Sequence, residues 1–347
     1  MKKNVLVTAT GGRSVGSGIV HSLVRSSPEV SDRWNVLATD AMSFAWGLYI
    51  APENALLPLA GDDQYIHSLK KLVHEHKINA IVPGSEAEVT VIANNADSFG
   101  DCKLICNRPE LNAFMNDKLL LEKKLLELGV KYIPTFPLEK FQDALDQFEF
   151  PFVVRPTTAT GGSKGVELVA DRDELNQWMR GVLDRSKYCI QPYIGDSDHE
   201  YTVGVLSDKK GSVIDSITMR RKLVGLSLLT SKRINNSDKA ISTGYSQGYI
   251  IENPELKKFS EQIAKDFKSE GPLNLQIREH DGEFYIFDFH PRFSGTTPIR
   301  ADVGFNEVDI LLRNHLLDEK FSQIDYEVNV AVIRAFEHVI VPMNEML

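Results

Sequence analysis

The stretch that decides the fold is LNLQIREHDGEFYIFDFHPRFSG, residues 273–295. Two apolar runs flank Asp281-Gly282, a dipeptide that favours a tight turn, so the stretch predicts a β-hairpin. A strand shows residues i, i+2 and i+4 on one face, so Asp288 and His290 should project together where the second strand ends. Chargeable side chains at the end of an apolar strand are costly unless something compensates them. The hairpin therefore predicts that a ligand or a charged partner meets this face.

The register of this hairpin decides which residues join Asp288. A two-residue Asp-Gly turn pairs Leu275 with Asp288 and points Gln276 to the opposite face. A three-residue turn centred on Gly282 pairs Gln276 with Asp288 instead. The polar residues that then share one face are Gln276, Arg278, Asp288 and His290. Four polar groups on one face favour this second register, because a hard divalent cation takes oxygen ligands from carboxylates and amides. The alternative is a structural Asp–Arg pair at a strand end.

Length and charge limit the class of protein. The chain has 347 residues, enough for two or three domains, and a formal net charge of -9. This balance argues against a general nucleic-acid binder, which needs a basic face. The apolar runs are shorter than the roughly eighteen residues of a membrane span, and the apolar core of the N-terminal segment is too short for a signal peptide. We therefore expect a cytoplasmic protein whose three cysteines are reduced structural thiols.

The first part of the chain alternates strand and helix patterns. Runs such as NVLVTA, WNVLATD and NAIVPG predict buried strands, and the segments between them carry helical spacing. This order predicts a parallel, doubly wound sheet. A glycine-rich turn at residues 10–18 follows the first strand, and Asp40 ends the second, where a dinucleotide enzyme places an acid. Because the turn lacks GxGxxG spacing, a tight structural turn is the favoured interpretation.

A second glycine-rich segment lies in FPFVVRPTTATGGSKGVELV, residues 150–169. A strand follows the glycines, whereas a helix follows those of a P-loop, so a P-loop is excluded. The tip of such a hairpin is nevertheless able to fold its backbone amides over phosphates. Arg155 precedes the loop and Lys164 lies within it, where both can meet phosphate oxygens. The alternative is a solvated glycine hairpin.

These features together resemble the ATP-grasp superfamily. The matching elements, in chain order, are Lys118 in an amphipathic helix, Arg155-Pro156 before Gly161-Gly162, Gly195 before Glu200-Tyr201, and Gln276 before Asp288, His290 and Arg292. The chain looks most like the synthetase halves of the carbamoyl-phosphate synthase large chain and their stand-alone relatives. The resemblance implies an α/β fold with a Rossmann-like pre-ATP-grasp domain at 1–111. A two-lobed α+β ATP-grasp fold would follow, with a small lobe at 112–190 and a large lobe at 191–347.

The resemblance implies ATP as the nucleotide. Lys118 and Arg155 would hold its phosphates. The loop residues that would close over the phosphates are Thr160, Gly161, Gly162, Ser163, Lys164 and Gly165. The hinge residues that would contact adenine, largely through the backbone, are Gln191, Pro192, Tyr193 and Ile194. Gln191 stands where the family often has Glu, and Glu200 would contact the ribose or nearby water.

The resemblance also implies a metal ion, Mg²⁺ or Mn²⁺. Gln276, Asp288 and His290 fall on the ligand positions, and Arg292 would bind the γ-phosphate and stabilise charge during transfer. The chain departs from the family here, because the usual motif has Glu followed by Asn-Pro-Arg. Imidazole nitrogen matches Mg²⁺ less well than an amide oxygen, so a preference for Mn²⁺ is expected.

The implied reaction is ATP-dependent ligation. A small-molecule carboxylate attacks the γ-phosphate to give an acyl phosphate and ADP, and an amine then displaces phosphate. The candidate substrate-binding residues are Arg278, Arg292 and Arg300 for the carboxylate and acyl phosphate, and Ser294 and Asn306 for the amine. Glu86 and Glu88 either receive an ammonium group or cap the following helix. In a loop at 219–234, four of the basic residues either bind an acidic substrate or form a solvated face: Arg221, Lys222, Lys232 and Arg233.

The chain has room for one synthetase half, so we expect a stand-alone carboxylate–amine ligase that is free to form a homodimer, with no nucleic-acid or membrane partner. Two alternatives stay open. One is a nucleotide-binding protein that has lost catalysis through the changes at Asp288 and His290. The other is a single synthetase-type subunit of a carbamoyl-phosphate-synthase-like enzyme.

Overall fold

The computed structural model describes residues 2–12, 14–158 and 163–347. Three of the predicted phosphate-loop residues, Thr160, Gly161 and Gly162, lie outside this range. None of the helices within it is long and apolar enough to span a membrane.

A five-stranded parallel sheet forms the N-terminal part. Its strands are β1 (Lys3–Val7), β2 (Trp34–Asp40), β3 (Glu53–Leu56), β4 (Ala80–Val82) and β5 (Lys103–Leu104). Its helices, and the helix that follows it, are α1 (Val15–Val24), α2 (Pro28–Arg33), α3 (Tyr65–Glu75), α4 (Glu86–Asn94) and α5 (Pro109–Asn116). The strand order is β3-β2-β1-β4-β5 with every pairing parallel, which confirms the predicted doubly wound sheet.

The first glycine-rich turn is a close-packed structural corner. A Cβ atom on Gly16 would lie 2.2 Å from the carbonyl oxygen of Thr8, so only glycine fits there. Asp40 accepts a hydrogen bond from the backbone amide of Gly11 at 2.8 Å and so ties the turn to the end of β2. These contacts support the tight-turn interpretation over a dinucleotide site.

A four-stranded antiparallel sheet forms the middle of the chain. Its elements are α6 (Lys118–Glu127), β6 (Phe136–Pro137), α7 (Phe141–Leu145), β7 (Phe152–Pro156), β8 (Glu167–Val169), α8 (Arg172–Arg180) and β9 (Tyr188–Pro192). The strand order is β6-β9-β7-β8. Asp117 caps α6 by accepting from the amides of Leu119 and Leu120 at 3.0 Å. The cap places Lys118 in the first turn of the helix, where its side chain is buried.

A six-stranded antiparallel sheet dominates the C-terminal part. Its strands are β10 (Glu200–Ser207), β11 (Val213–Arg221), β14 (Gly248–Ile251), β15 (Pro272–His280), β16 (Glu283–His290) and β17 (Val330–Val332), and β12 (Leu228–Ile234) pairs separately with β13 (Ser237–Ser242). The helices are α9 (Pro254–Asp266), α10 (Thr297–Asp302) and α11 (Glu307–Leu317). The order β16-β15-β10-β11-β14-β17 leaves β16 at one edge of the sheet, where Ile286 forms backbone hydrogen bonds with Lys131 and Ile133.

The hairpin of β15 and β16 pairs Gln276 with Asp288 as predicted, but its turn differs from the predicted one. His280 pairs with Glu283 across a two-residue Asp281-Gly282 turn, so the predicted three-residue turn is wrong. Both turn residues have positive φ, which such two-residue turns require. The pairs on either side of a register shift are Ile277 with Ile286, and Gln276 with Asp288. Phe287 is the extra residue of this β-bulge, and the bulge moves Asp288 opposite Gln276.

Candidate functional site

A cleft of about 1560 Å³ runs between the parallel sheet and the two antiparallel sheets. The predicted site residues that line it are Lys118, Arg155, Ser163, Lys164, Gln191, Pro192, Gln276, Arg278, Asp288, His290, Arg292 and Ser294. The N-terminal part contributes residues near Ser14 and Glu86, and the chain after β17 contributes Arg334. Most ligand pockets hold roughly 300–1,000 Å³, so this cleft has room for more than one ligand.

Asp288 is the centre of an ion-pair cluster in the cleft. Lys118 Nζ lies 3.0 Å from its Oδ1, and Arg155 Nη2 lies 2.9 Å from its Oδ2. His290 Nε2 is 3.4 Å from the same Oδ2. Burial alone would raise the pKa of Asp288, but Lys118, Arg155 and His290 hold it well below its ordinary value. The carboxylate is therefore ionised and holds two cations on the wall of the cleft.

Two guanidinium groups in the cleft fit an anionic ligand. Arg155 donates from Nη1 to the carbonyl of Phe287 at 3.1 Å, so the bulge residue also orients this arginine. The Nε atoms of Arg155 and Arg292 are buried and have no acceptor among the described residues. Buried donors need partners, and guanidinium groups pair readily with phosphate oxygens. The cluster thus has the donors that a phosphate chain requires.

The predicted metal ligands share one face of the hairpin, because Gln276 lies directly opposite Asp288. Their oxygens are the donor type that a hard divalent cation prefers, and His290 Nδ1 is buried without a hydrogen bond among the described residues. The donor set therefore fits a divalent ion. Both oxygens of Asp288 are already in ion pairs, so a metal would share them with Lys118 and Arg155. Within the described ranges, histidine, cysteine and acidic side chains alone form no metal-holding cluster of three or more.

Glu86 reaches across from the N-terminal part to Arg292. Its Oε1 contacts Arg292 Nη2, and His290 Nδ1 lies 3.6 Å from the same oxygen. Burial would raise the pKa of Glu86, but Arg292 and His290 more than offset it, and the pKa lies below its ordinary value. Arg292 Nη1 also donates to the carbonyl of Phe293 at 2.6 Å. These contacts aim the arginine along the cleft.

Glu88 is a buried hydrogen-bond acceptor at the start of α4. Ser85 caps α4 by accepting from the backbone amide of Glu88, and the Ser85 hydroxyl donates to the Glu88 carboxylate at 3.0 Å. Thr8 and Tyr65 also donate to this buried carboxylate, and burial raises its pKa. Ser85 is therefore the cap of α4, Glu88 is an internal acceptor for three hydroxyl groups, and Glu86 is an ion-pair partner in the cleft.

Glu200 holds two arginines in place of the predicted ribose contact. The carboxylate is fully buried, with Arg221 Nη1 3.1 Å from Oε1 and Arg278 Nη2 3.0 Å from Oε2. Arg278 also stacks on Tyr193, with 4.0 Å from its Cζ to the ring centroid. Its guanidinium is thus fixed by a carboxylate and an aromatic ring while it lines the cleft.

The predicted hinge residues occupy the end of β9 and the loop after it. Gln191 is buried, and its Nε2 donates to Thr135 Oγ1 at 2.8 Å. The hydroxyl of Tyr193 donates to the carbonyl of Ala240 and accepts from the amide of the same residue, both at 3.0 Å. The carbonyl of Ile194 accepts from Arg278 at 3.5 Å. These hydrogen bonds fix the segment to residues from several strands, and Gln191 and Pro192 line the cleft.

The C-terminal side of the predicted phosphate loop contacts β13. Ser163 Oγ donates to the carbonyl of Ser242 at 2.8 Å, which joins this side of the loop to β13. Lys164 lines the cleft, and Gly165 has a φ of 74°, a conformation that favours glycine. Thr160, Gly161 and Gly162 lie outside the described residues.

Two predicted substrate residues have structural roles, and both assignments are corrected. Arg300 is almost fully buried, where it pairs with Glu307 at 2.6 Å and donates to Asn274 at 2.7 Å. Asn306 caps α11 through its Oδ1, and its Nδ2 donates to the backbone carbonyl of Ser22 at 2.8 Å. Short polar side chains cap helices well, so the position before α11 explains this asparagine. Ser294 does line the cleft, where it contacts Thr296.

The basic segment at 219–234 contains the end of β11 and all of β12, in contrast to the predicted loop, and most of the basic side chains considered have structural partners. Arg221 is buried against Glu200, and Lys232 pairs with Glu174 at 2.6 Å on α8. Lys222 pairs with Asp198 on the surface. These pairs support the interpretation as a structural and solvated face over an acidic-substrate site.

Sequence reasoning missed Arg334, which lines the cleft, and Thr135, which contacts the cleft residue Gln191. Arg334 follows β17, donates to the carbonyl of Gly295 at 3.0 Å and lies 5.4 Å from the ring of Tyr245. Thr135 precedes β6 and holds Gln191. Neither lies in a motif, and only the pairing of distant strands brings them to the site. A threonine or an arginine next to a short strand gives no sign in the sequence that it will lie at the site.

Two family models match the chain. Residues 186–337 match the ATP-grasp family described as acting in a biosynthetic pathway with the Ter operon, and residues 5–105 match the PylC-like N-terminal domain. The C-terminal part of the chain is thus similar to an ATP-grasp domain and the N-terminal part to a PylC-like domain, and the predicted fold class is confirmed.

Curated relatives include large chains of carbamoyl phosphate synthase. The C-terminal section from Aquifex aeolicus is 25% identical over 211 residues, which are 58% of this chain and 37% of that protein. The large chain from Clostridium beijerinckii is 23% identical over 226 residues, or 62% of this chain and 20% of that protein. The chain therefore spans a fifth to somewhat over a third of the length of these relatives.

Solved structures share the fold over nearly the whole chain. N5-carboxyaminoimidazole ribonucleotide synthetase in its ADP complex has a TM-score of 0.67 at 14% identity, covering 95% of this chain and 80% of that one. The biotin carboxylase domain of Hydrogenobacter thermophilus 2-oxoglutarate carboxylase, with MgADP and bicarbonate, scores 0.64 at 17% identity and covers 94% and 73%. The L-amino acid ligase from Bacillus licheniformis scores 0.63 at 16% identity and covers 91% and 74%.

Proposed function

We propose that this chain, which joins a PylC-like N-terminal domain to an ATP-grasp domain, is an ATP-dependent, ADP-forming ligase. It activates a small-molecule carboxylate as an acyl phosphate and joins it to an amine. The observation that carries the proposal is the cluster around Asp288, where Lys118 and Arg155 sit on one ionised carboxylate beside buried guanidinium donors. Such a cluster is costly without an anionic ligand, and a phosphate chain is that ligand.

ATP would lie along the cleft with its base at the hinge of Gln191 and Pro192. Lys118 and Arg155 would turn from Asp288 towards the phosphate oxygens, with Ser163, Lys164 and Gly165 on the loop side. Mg²⁺ or Mn²⁺ would be held by Gln276 and Asp288, with His290 beside them. When bound, this ion would neutralise charge on the phosphates. ADP in similar structures, and MgADP in one of them, support this assignment.

The chain's own residues would position the reactants. Arg292, aimed by Glu86, would contact the γ-phosphoryl group and balance the charge that spreads over its oxygens during transfer. Arg278, fixed by Glu200 and Tyr193, would contact the nucleotide or the substrate carboxylate. Ser294 lines the same end of the cleft as Arg292 and would orient the amine. Such chemistry needs positioning and electrostatics without a protein nucleophile.

The proposal extends to organisation and partners. We keep a three-part division at 1–111, 112–190 and 191–347, with one adjustment. Because β9 (Tyr188–Pro192) is one continuous strand of the middle sheet, the second boundary fits better after Pro192. A homodimer is supported by one similar structure that is a domain dimer. Three free cysteines, of which Cys102 and Cys106 have pKa values raised by burial to about 12, support a reducing cytoplasm.

A screen for ADP release tests the proposal. Purified protein, ATP and Mg²⁺ or Mn²⁺ are mixed with pairs of small carboxylates and amines, and ADP and free phosphate are measured. We expect at least one carboxylate to stimulate ADP release, with steady turnover only when a matching amine is added. The matched control is Lys118→Met, which keeps the length of the side chain and removes its charge. Release of AMP, or release that no carboxylate changes, would contradict the ligase.

A nucleotide-binding protein without ligase activity is the second candidate. It is favoured by one observation, that both oxygens of Asp288 are engaged by cations and so are poorly placed to hold a metal. In that case ADP and ATP would bind, but no carboxylate would produce a burst of ADP equal to the number of sites. A single synthetase-type subunit is a further alternative, and it would show turnover only after a partner chain is added.

A further inference from the structure

The side-chain amide of Gln191 is held in one orientation by Thr135. β6 and β9 pair with Phe136 opposite Ile190, so Thr135, directly before β6, lies opposite Gln191. Gln191 Nε2 donates to Thr135 Oγ1 at 2.8 Å, and both side chains are buried. Cross-strand neighbours in a sheet approach closely, so this contact is built into the register.

A second hydrogen bond fixes the direction of the first. The Thr135 hydroxyl donates to the carbonyl of Ile133 at 3.1 Å, so its oxygen is left to accept. A hydroxyl has one proton to donate, and here it is used. Gln191 must therefore present Nε2 to Thr135 and keep Oε1 as its other end. Gln191 also lines the cleft, so Oε1 is the amide atom free to accept from a ligand.

This constraint matters because the residue is glutamine. A glutamate at this position offers acceptors whichever way it turns, whereas a glutamine offers an acceptor on one side and a donor on the other. An acceptor suits the exocyclic amine of a 6-aminopurine. A 6-oxopurine presents its own acceptor there, and two acceptors that face each other cannot form a hydrogen bond.

We propose that Thr135 is a positioning residue that makes Gln191 select a 6-aminopurine nucleotide over a 6-oxopurine nucleotide. The inference rests on the proposed function, since it takes the base to lie against Gln191. Thr135 does not touch the nucleotide and acts only through the orientation of the amide.

Calorimetric binding of ADP and IDP to the full chain tests the inference, because these nucleotides share their sugar and phosphates. The unmodified protein should bind ADP roughly tenfold or more tightly than IDP. Thr135→Val keeps the shape of the side chain and removes the acceptor, so the amide can turn and the ratio should move towards one. Thr135→Ser should keep the preference. Thermal unfolding checks that each variant folds, and Thr135→Ala replaces the valine variant if that one does not.

A second substitution separates orientation from packing. Gln191→Glu combined with Thr135→Val should restore the preference for ADP, since a carboxylate needs no neighbour to turn its acceptor towards the base. A merely structural role for Thr135 would not be rescued in this way. An unchanged ADP-to-IDP ratio in folded Thr135→Val, a double variant that stays non-selective, or equal binding by the unmodified protein would each overturn the inference. Failure to bind either nucleotide would overturn the proposed function itself.

Discussion

Replacing Arg155 with alanine should weaken nucleotide binding far more than replacing Lys222. Each residue forms an ion pair with an aspartate at 2.9 Å, so the two variants lose contacts of equal length. The surroundings differ, because 13% of the Arg155 side chain is exposed against 50% of the Lys222 side chain. A lost charge-assisted bond to phosphate costs about 1.5–3 kcal/mol, which corresponds to a dissociation constant about 10 to 150 times larger. Lys222→Ala should leave that constant nearly unchanged.

Calorimetric titration with ADP and Mg²⁺ measures both dissociation constants. Arg155→Ala also leaves Asp288 with fewer cations, so thermal unfolding must confirm that the variant is folded at the temperature of the titration. Arg155→Lys serves as a further control, because it keeps the charge and loses the forked geometry. Its affinity should lie between those of the unmodified protein and the alanine variant. Equal dissociation constants for Arg155→Ala and Lys222→Ala would refute the assignment of Arg155 to the phosphates.

Three further changes test the site and the fold. The pKa of Asp288 is held well below its ordinary value, so its ionised form stabilises the fold at pH values above the unfolded-state pKa of about 4. This contribution to the free energy of unfolding is lost as the pH falls through the lower folded-state pKa. Asp288→Asn should therefore flatten the loss of stability in acid-unfolding curves, and an equally steep loss would count against it. His290→Asn supplies an oxygen ligand and should shift ADP formation from Mn²⁺ towards Mg²⁺, whereas an unchanged ratio of rates would mean that the imidazole is not a ligand. Gly16→Ala should lower the free energy of unfolding by about 1–3 kcal/mol, because its Cβ would lie 2.2 Å from a carbonyl oxygen, and Gly61→Ala, with open space around it, is the matched control in chemical denaturation.

The sequence predicted the fold well where hydrophobic period and turn residues agree. The parallel sheet, the helix α6 that carries Lys118, and the grouping of Lys118, Arg155 and Asp288 in one cleft followed from apolar runs and motif order. The prediction that Gln276 and Asp288 share one face of the hairpin was also right, although the bulge at Phe287 was not predicted. A bulge leaves no mark in the alternation of a strand that is buried on both faces, so turn chemistry alone could not set the register.

Burial explains the errors among the substrate residues. Arg300 and Asn306 have the right chemistry for a ligand, but their partners Glu307 and Ser22 come together only in the folded chain. A polar residue near a motif can stabilise the fold through internal hydrogen bonds or bind a substrate, and the sequence does not distinguish the two roles. Thr135 is the converse case, since its relation to Gln191 depends on a pairing between two strands far apart in sequence.

The transfer of oxygen from the carboxylate to phosphate tests the central claim most directly. The carboxylate found in the ADP-release screen is labelled with ¹⁸O in both oxygens and turned over with ATP and the amine. Attack on the γ-phosphate followed by displacement by the amine moves one carboxylate oxygen into the released phosphate. We predict one ¹⁸O per phosphate, with ADP and the amide as the other products. Unlabelled phosphate, or label that appears in AMP, would contradict an acyl-phosphate ligase.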